Sequence, residues 1–152
     1  MKSKQVKEAV MNMQIIAKKS ITINAPAAKV WSALVNPEMI KLYMFGTTAV
    51  SAWKVGSPIL FKGVWQGKSY EDKGVILRLE PERLLQYSHY SPLSGIPDLP
   101  ENYHIVTIEL SKQGRSTNLK LSQDNNPDEK SRAHSEKNWG MMLESLKKLL
   151  EK

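Results

Sequence analysis

The C-terminal segment constrains the fold more than any other part of this chain. Trp139, Met142, Leu143, Leu146, Leu149 and Leu150 fall at i, i+3, i+4, i+7, i+10 and i+11, a single apolar stripe at the period of an α-helix. Lys137, Glu144, Lys147 and Lys148 occupy the other face. Asn126-Pro127-Asp128-Glu129 supplies a strong start signal, with capping residues, a proline and an acidic first turn. The pattern predicts a helix of about twenty residues, roughly 30 Å long. A helix with one apolar stripe draws its stability from the surface it covers, so the rest of the chain must supply that surface.

It does so as strands. Ile15, Ala17, Ile21 and Ile23 suggest a first strand with partial alternation. Thr47 to Trp53 is rich in β-formers. Ile59, Phe61 and Trp65 alternate with Leu60, Lys62 and Val64; Val75, Leu77 and Leu79 alternate with Ile76, Arg78 and Glu80. Leu85, Tyr87 and His89 follow. Next, His104, Val106, Ile108 and Leu110 alternate with Tyr103, Ile105, Thr107 and Glu109, and Leu119 and Leu121 close the series. Turn signals separate the runs at Val55-Gly56-Ser57-Pro58, Gln66-Gly67-Lys68, Pro81-Glu82 and Gln113-Gly114. Ser91 to Pro100, with three prolines and a glycine, reads as a loop. Short turns between strands imply a meandering antiparallel sheet. Its apolar face, including Val106, Ile108, Leu119 and Leu121, is expected under the terminal helix.

Two short helices interrupt the pattern early. In Asn24-Ala25-Pro26 the proline suits the first helical position, and Val30, Trp31 and Leu34 form the apolar face. Asn36-Pro37-Glu38 repeats the start signal; this second helix runs through Ile40 and Leu42 toward Tyr43, and Gly46 ends it.

The order of elements, together with Ile23-Asn24-Ala25-Pro26-Ala27-Ala28-Lys29-Val30-Trp31, Leu34-Val35-Asn36-Pro37-Glu38 and the closing Asn138-Trp139 with Leu143, Leu146, Lys147 and Leu150, resembles the START-like, or SRPBCC, superfamily. Among its branches the chain is most similar to proteins like the C-terminal domain of the activator of heat-shock protein 90 ATPase. The resemblance covers about Met13 to Lys152. It implies an α+β helix-grip fold, a curved antiparallel sheet with two short helices and a long C-terminal helix packed across it. Residues 1–12 are expected to be a tail and 13–152 the START-like domain. Many relatives have a tryptophan after the second helix, where this chain reads Tyr43-Met44-Phe45. The eukaryotic co-chaperone has an additional N-terminal domain that engages the chaperone. Residues 1–12 are too short to supply one, so strong stimulation of a chaperone ATPase by this chain alone is not expected.

Other function classes are narrowed by composition. The 152 residues contain no cysteine, which removes thiolate nucleophiles, thiolate zinc sites and disulfides. No apolar run approaches the ~20 residues of a membrane span, and Met1 to Val10 lacks the features of a secretory signal. No membrane insertion and a cytoplasmic location are expected. The net charge of +7 is spread along the chain without a nucleic-acid-reading motif, so no nucleic-acid partner is expected. Gly63-Val64-Trp65-Gln66-Gly67-Lys68-Ser69 echoes a phosphate-binding loop but has three residues between its glycines and no helix start after it; a hairpin turn is the better reading. His134 falls on the solvated side of the last helix.

Arg132, Ser135 and Glu136 precede Trp139 on the helix. The apolar stripe therefore stops short of the helix's first half, and a cavity is expected near Trp139. The expected lining is Met44, Phe45, Phe61, Tyr87, His89, His104, Trp139 and Met142. Gly140, which costs a helix about 1 kcal/mol relative to alanine, suggests close backbone approach or room for something beside Trp139, or else simple tolerance. His89 and His104 share phase with apolar neighbours and can face each other; with Asp98 or Glu101 they form a possible zinc or acid–base cluster, though satisfied, partly buried histidines are the plainer reading. The sequence is read as non-enzymatic binding of a hydrophobic small molecule between sheet and helix, by a monomer or weak homodimer, with no catalytic residue, metal or cofactor. The alternatives are a chaperone co-factor-like interaction module and a cyclase- or hydrolase-like enzyme using the same cavity.

Overall fold

In a computed structural model, residues 15–152 of the chain are described. The expected tail, residues 1–12, lies outside them. Seven strands form one antiparallel sheet: β1 (Ala17–Ile23), β2 (Thr48–Ser51), β3 (Pro58–Trp65), β4 (Lys68–Glu80), β5 (Leu84–His89), β6 (His104–Gln113) and β7 (Ser116–Gln123). Their spatial order is β1-β7-β6-β5-β4-β3-β2. Helices α1 (Ala27–Val35) and α2 (Pro37–Tyr43) carry the chain from one edge of the sheet to the other, and α3 (Glu129–Leu150) comes last. The architecture is the α+β helix-grip arrangement expected from the sequence.

Local chemistry sets the boundaries. Pro26 takes the capping position of α1, with ψ at 155°, and the first helical residue is Ala27. The Pro26 carbonyl accepts from the backbone N–H groups of Lys29 and Val30 at 3.0 and 3.1 Å. Asn36 caps α2 through its side-chain oxygen, which accepts from the Glu38 N–H at 2.9 Å. Gly46 closes α2: at φ +89° its N–H reaches the Lys41 carbonyl at 2.9 Å. Leu42, within α2, is 64% exposed. Tyr43 is buried instead and donates its hydroxyl to the Ala33 carbonyl at 3.0 Å.

The long strand β4 differs most from its reading. Its inward residue is Ile76, at 0% exposure, whereas Val75 and Leu77 are 39% and 38% exposed. A register shift between Ile76 and Arg78 interrupts the pairing with β5, and Leu79 then returns opposite Leu85. A bulge inserts one residue and inverts the alternation beyond it, so a period-2 reading across residues 75–79 picks the wrong face.

Asp128, not Asn126, caps α3; its carboxylate accepts from the Ser131 N–H at 2.7 Å. Asn126 is buried and its amide donates to the carbonyls of Ile15 and Gln123, both at 2.9 Å. It thus ties the start of β1 to the end of β7. The helix then runs along β1, the edge strand. The Lys18 N–H donates to Glu136 Oε2 at 2.9 Å, Lys147 Nζ to the Thr22 carbonyl at 2.7 Å, and the Asn24 N–H to Glu151 Oε2 at 2.7 Å. Helix side chains thereby satisfy outward backbone groups that an edge strand otherwise leaves open. Met142, Leu143, Leu146 and Leu150 join Val106, Ile108, Leu119 and Leu121 in one buried cluster.

Candidate functional site

Where the apolar stripe of α3 stops, a cavity of about 240 Å³ opens between helix and sheet. Met44 at the end of α2, Phe61 on β3, Tyr87 and His89 on β5 and Trp139 on α3 line it. Exposed Trp65 and Leu93 also border it. Trp139 is fixed by its indole N–H, which donates to Gln123 Oε1 at 2.5 Å. The Phe61 and Tyr87 rings pack with centroids 5.6 Å apart. Deeper in the core, between Tyr43, Met142 and Trp139, only about 20 Å³ remains, roughly the room one water needs. The space is therefore a cleft above a closed core.

One wall comes from the β3–β4 hairpin. Gln66 and Gly67 both have positive φ, 49° and 79°, the conformation of a two-residue hairpin turn. This turn is what the phosphate-loop echo becomes. It pairs Trp65 with Lys68 and so places Tyr70 opposite Gly63 and Asp72 opposite Phe61. A side chain at Gly63 would overlap the Tyr70 ring; glycine lets that ring lie across the strand, where its hydroxyl meets Thr47 Oγ1 at 2.7 Å. Both residues line the cavity.

The other polar feature joins β4 to β5. Gly74 allows an unusually close approach: a Cβ there would collide with the Ser88 carbonyl. Two residues earlier, Asp72 Oδ2 meets His89 Nε2 at 3.0 Å. Asp72 Oδ1 is buried and has no partner among the described residues. His104 stands behind His89, ring centroids 6.4 Å apart. Its Nδ1–H donates to the Asp124 carbonyl at 2.8 Å, because a carbonyl can only accept. Burial pushes the His104 pKa below its ordinary value, and His89 adds to the effect against the opposing Asp124 carbonyl. The Tyr87 hydroxyl is raised by burial and secondarily by Asp72, so it stays protonated.

Of the residues expected to line a cavity, Met44, Phe61, Tyr87, His89 and Trp139 are brought together here. Phe45 is not: it adopts φ +54° past the end of α2 and is 69% exposed, on an outer groove with Met141 and Lys148. Met142 lies beneath the floor, and His104 backs the wall without forming it. Gly140 faces the stem of Lys19, whose Cε would stand 3.4 Å from an added Cβ, so it does not shape the cavity. The carboxylate beside the histidines is Asp72, not Asp98 or Glu101. Asp98 binds Lys73 and accepts the Tyr103 hydroxyl at 2.6 Å, and Glu101 is exposed. Strand register from the Gln66-Gly67 turn was the signal for Asp72, since it shares a face with Phe61. Among the described residues, no group of three His, Asp or Glu side chains is placed to hold a metal ion. Nor is any described helix long and apolar enough to cross a membrane.

A sheet gripping its terminal helix, with a cleft between them, defines a START-like (SRPBCC) helix-grip domain. Residues 24–151 match the model of the family described as activator of Hsp90 ATPase homolog 1-like protein, and the chain belongs to that family. A solution structure of the Cytophaga hutchinsonii protein ChR145 is 61% identical, with a TM-score of 0.79, covering 90% of this chain and 93% of that one. The solution structure of the Aha1 dimer from Colwellia psychrerythraea is similar in fold at 22% identity, with a TM-score of 0.71 and coverage of 90% and 96%. CalU16 from Micromonospora echinospora shares the fold at 24% identity and a TM-score of 0.65, over 86% and 80%. Among curated proteins, none matches the chain.

Proposed function

We propose that this domain binds a small, largely apolar molecule in the cleft between α3 and the sheet. The observation that carries this reading is the cavity of about 240 Å³ walled by aromatic rings. Ligand sites are typically concave and mostly apolar, with a few placed polar groups, and Asp72, His89 and Thr47 supply those groups here. The volume lies just below the usual range of about 300–1,000 Å³, which suits a small ligand. Native mass spectrometry of freshly purified protein tests the reading. A bound species that leaves on denaturation is expected; a ligand-free mass, with no cleft-residue NMR shifts on adding small aromatic molecules, would count against it.

A second reading, acid–base chemistry on the bound molecule, is supported by the Asp72–His89 pair alone. A histidine oriented by a carboxylate is a common general base. The two readings separate on the recovered molecule: binding leaves it unchanged on prolonged incubation, whereas catalysis alters it in wild type and not in His89→Gln.

A further inference from the structure

We propose that the ligand of the cleft is a small organic cation, a protonated amine carrying one aromatic ring on a short chain. The proposal rests on the reading of the cleft as a small-molecule site and adds the charge and size of what it takes.

Three observations converge on a cation. The cleft is lined by five aromatic side chains, Phe61, Trp65, Tyr70, Tyr87 and Trp139. Aromatic faces carry negative charge density and attract ammonium groups, most strongly where water is excluded. Asp72, the carboxylate in the lining, is only half satisfied: Oδ2 meets His89, while Oδ1 is buried without a partner among the described residues. A buried carboxylate oxygen needs a donor, and an ammonium brings several N–H donors with a complementary charge. Finally, among the described residues no lysine or arginine lines the cleft, in a chain of net charge +7. Lys73, next to Asp72 in sequence, is turned to Asp98 on the outside of the sheet. Among the described residues an anionic ligand would meet no lysine or arginine here. A purely apolar one would leave Asp72 Oδ1 desolvated and unpaired.

Size follows from volume. A cavity of about 150 Å³ accommodates benzene, so about 240 Å³ admits one ring with a few further heavy atoms. The ammonium then meets Asp72 while the ring packs among the aromatic walls.

Three probes of similar shape and different charge test this: 2-phenylethylammonium, 2-phenylethanol and 3-phenylpropionate, titrated into the purified chain by calorimetry and by NMR of the cleft residues. The ammonium is expected to bind at least about tenfold more tightly than the alcohol, and the carboxylate most weakly. In Asp72→Asn the tenfold preference for the ammonium over the alcohol should shrink to about twofold or less. Alcohol or carboxylate binding as tightly as the ammonium would overturn the cation proposal and leave the cleft as a binding site. No shift of any cleft residue with any probe would overturn both. Should Asp72→Asn fail to fold, Trp65→Leu, at an exposed position, tests the aromatic wall by itself. It should weaken the ammonium several-fold more than the alcohol, and equal weakening of the two would refute the proposal.

Discussion

His104 is tied to the Asp124 carbonyl and largely buried, and its pKa is depressed from 6.5. The sign of its contribution to stability follows. Below 6.5 the unfolded chain takes up a proton that the folded ring resists, so the unfolded state binds more protons and stability drops as the pH drops. The contribution is present above the unfolded value and is lost as pH falls from there toward the lower folded one. Melting temperatures of wild type and His104→Gln should therefore converge between about pH 7.5 and 5.5, because glutamine keeps a donor for the carbonyl without titrating. Parallel curves would show that His104 carries no such linkage. Asp124, whose carboxyl is raised mainly by burial and held back in part by His104, is present in both proteins. At this scale some roles were legible and others were not. Asn36 is a cap by its place before Pro37 and Glu38. Asn126 carries the same local signal, but its amide is used by Ile15 and Gln123, the first of them 111 residues away.

Among the elements, β4 does the most unusual work. Its 13 residues pair with β3 along one half and with β5 along the other, and Gly74 sits where the strand changes partners. A glycine inside a strand pattern often marks such a close approach. Gly74→Ala would place a methyl against the Ser88 carbonyl, a backbone atom that cannot rotate away. This substitution is expected to cost more than about 3 kcal/mol, beyond ordinary overpacking, and to lower the yield of folded protein. Val75→Ala, on the half-exposed neighbour, should cost less than about 1 kcal/mol. Chemical denaturation of the pair checks this; similar midpoints would mean that β4 and β5 can separate at little cost. The same crossing explains why alternation alone does not give the face of Ile76, while the β3–β4 register was readable from its turn.

Over the whole molecule, the excess of positive charge is dispersed and interleaved with acids. Arg132 bridges Glu129 and Glu136, Lys147 pairs with Glu151, Lys62 with Glu71 and Arg78 with Glu80. Phosphate-backbone binding needs several cations released together onto one track. Binding to duplex or single-stranded nucleic acid should thus be no tighter than about micromolar at physiological salt. Sub-micromolar affinity with a steep salt dependence, measured by fluorescence anisotropy, would contradict this.

The sequence by itself determined which elements form, their order and, in most strands, which residues face inward. These depend on periodicity, capping and turn chemistry, all acting over a few residues, as in the stripe from Trp139 to Leu150 and the turn at Gln66-Gly67. The tertiary structure alone decided how closely the elements approach. The separation of Asp72 from His89, the exposure of Phe45, the role of Asn126 and the volume left beneath Trp139 all arise between segments far apart in the chain. Local patterning sets the direction in which a side chain leaves the backbone; the gap it meets there is set by packing of the whole core.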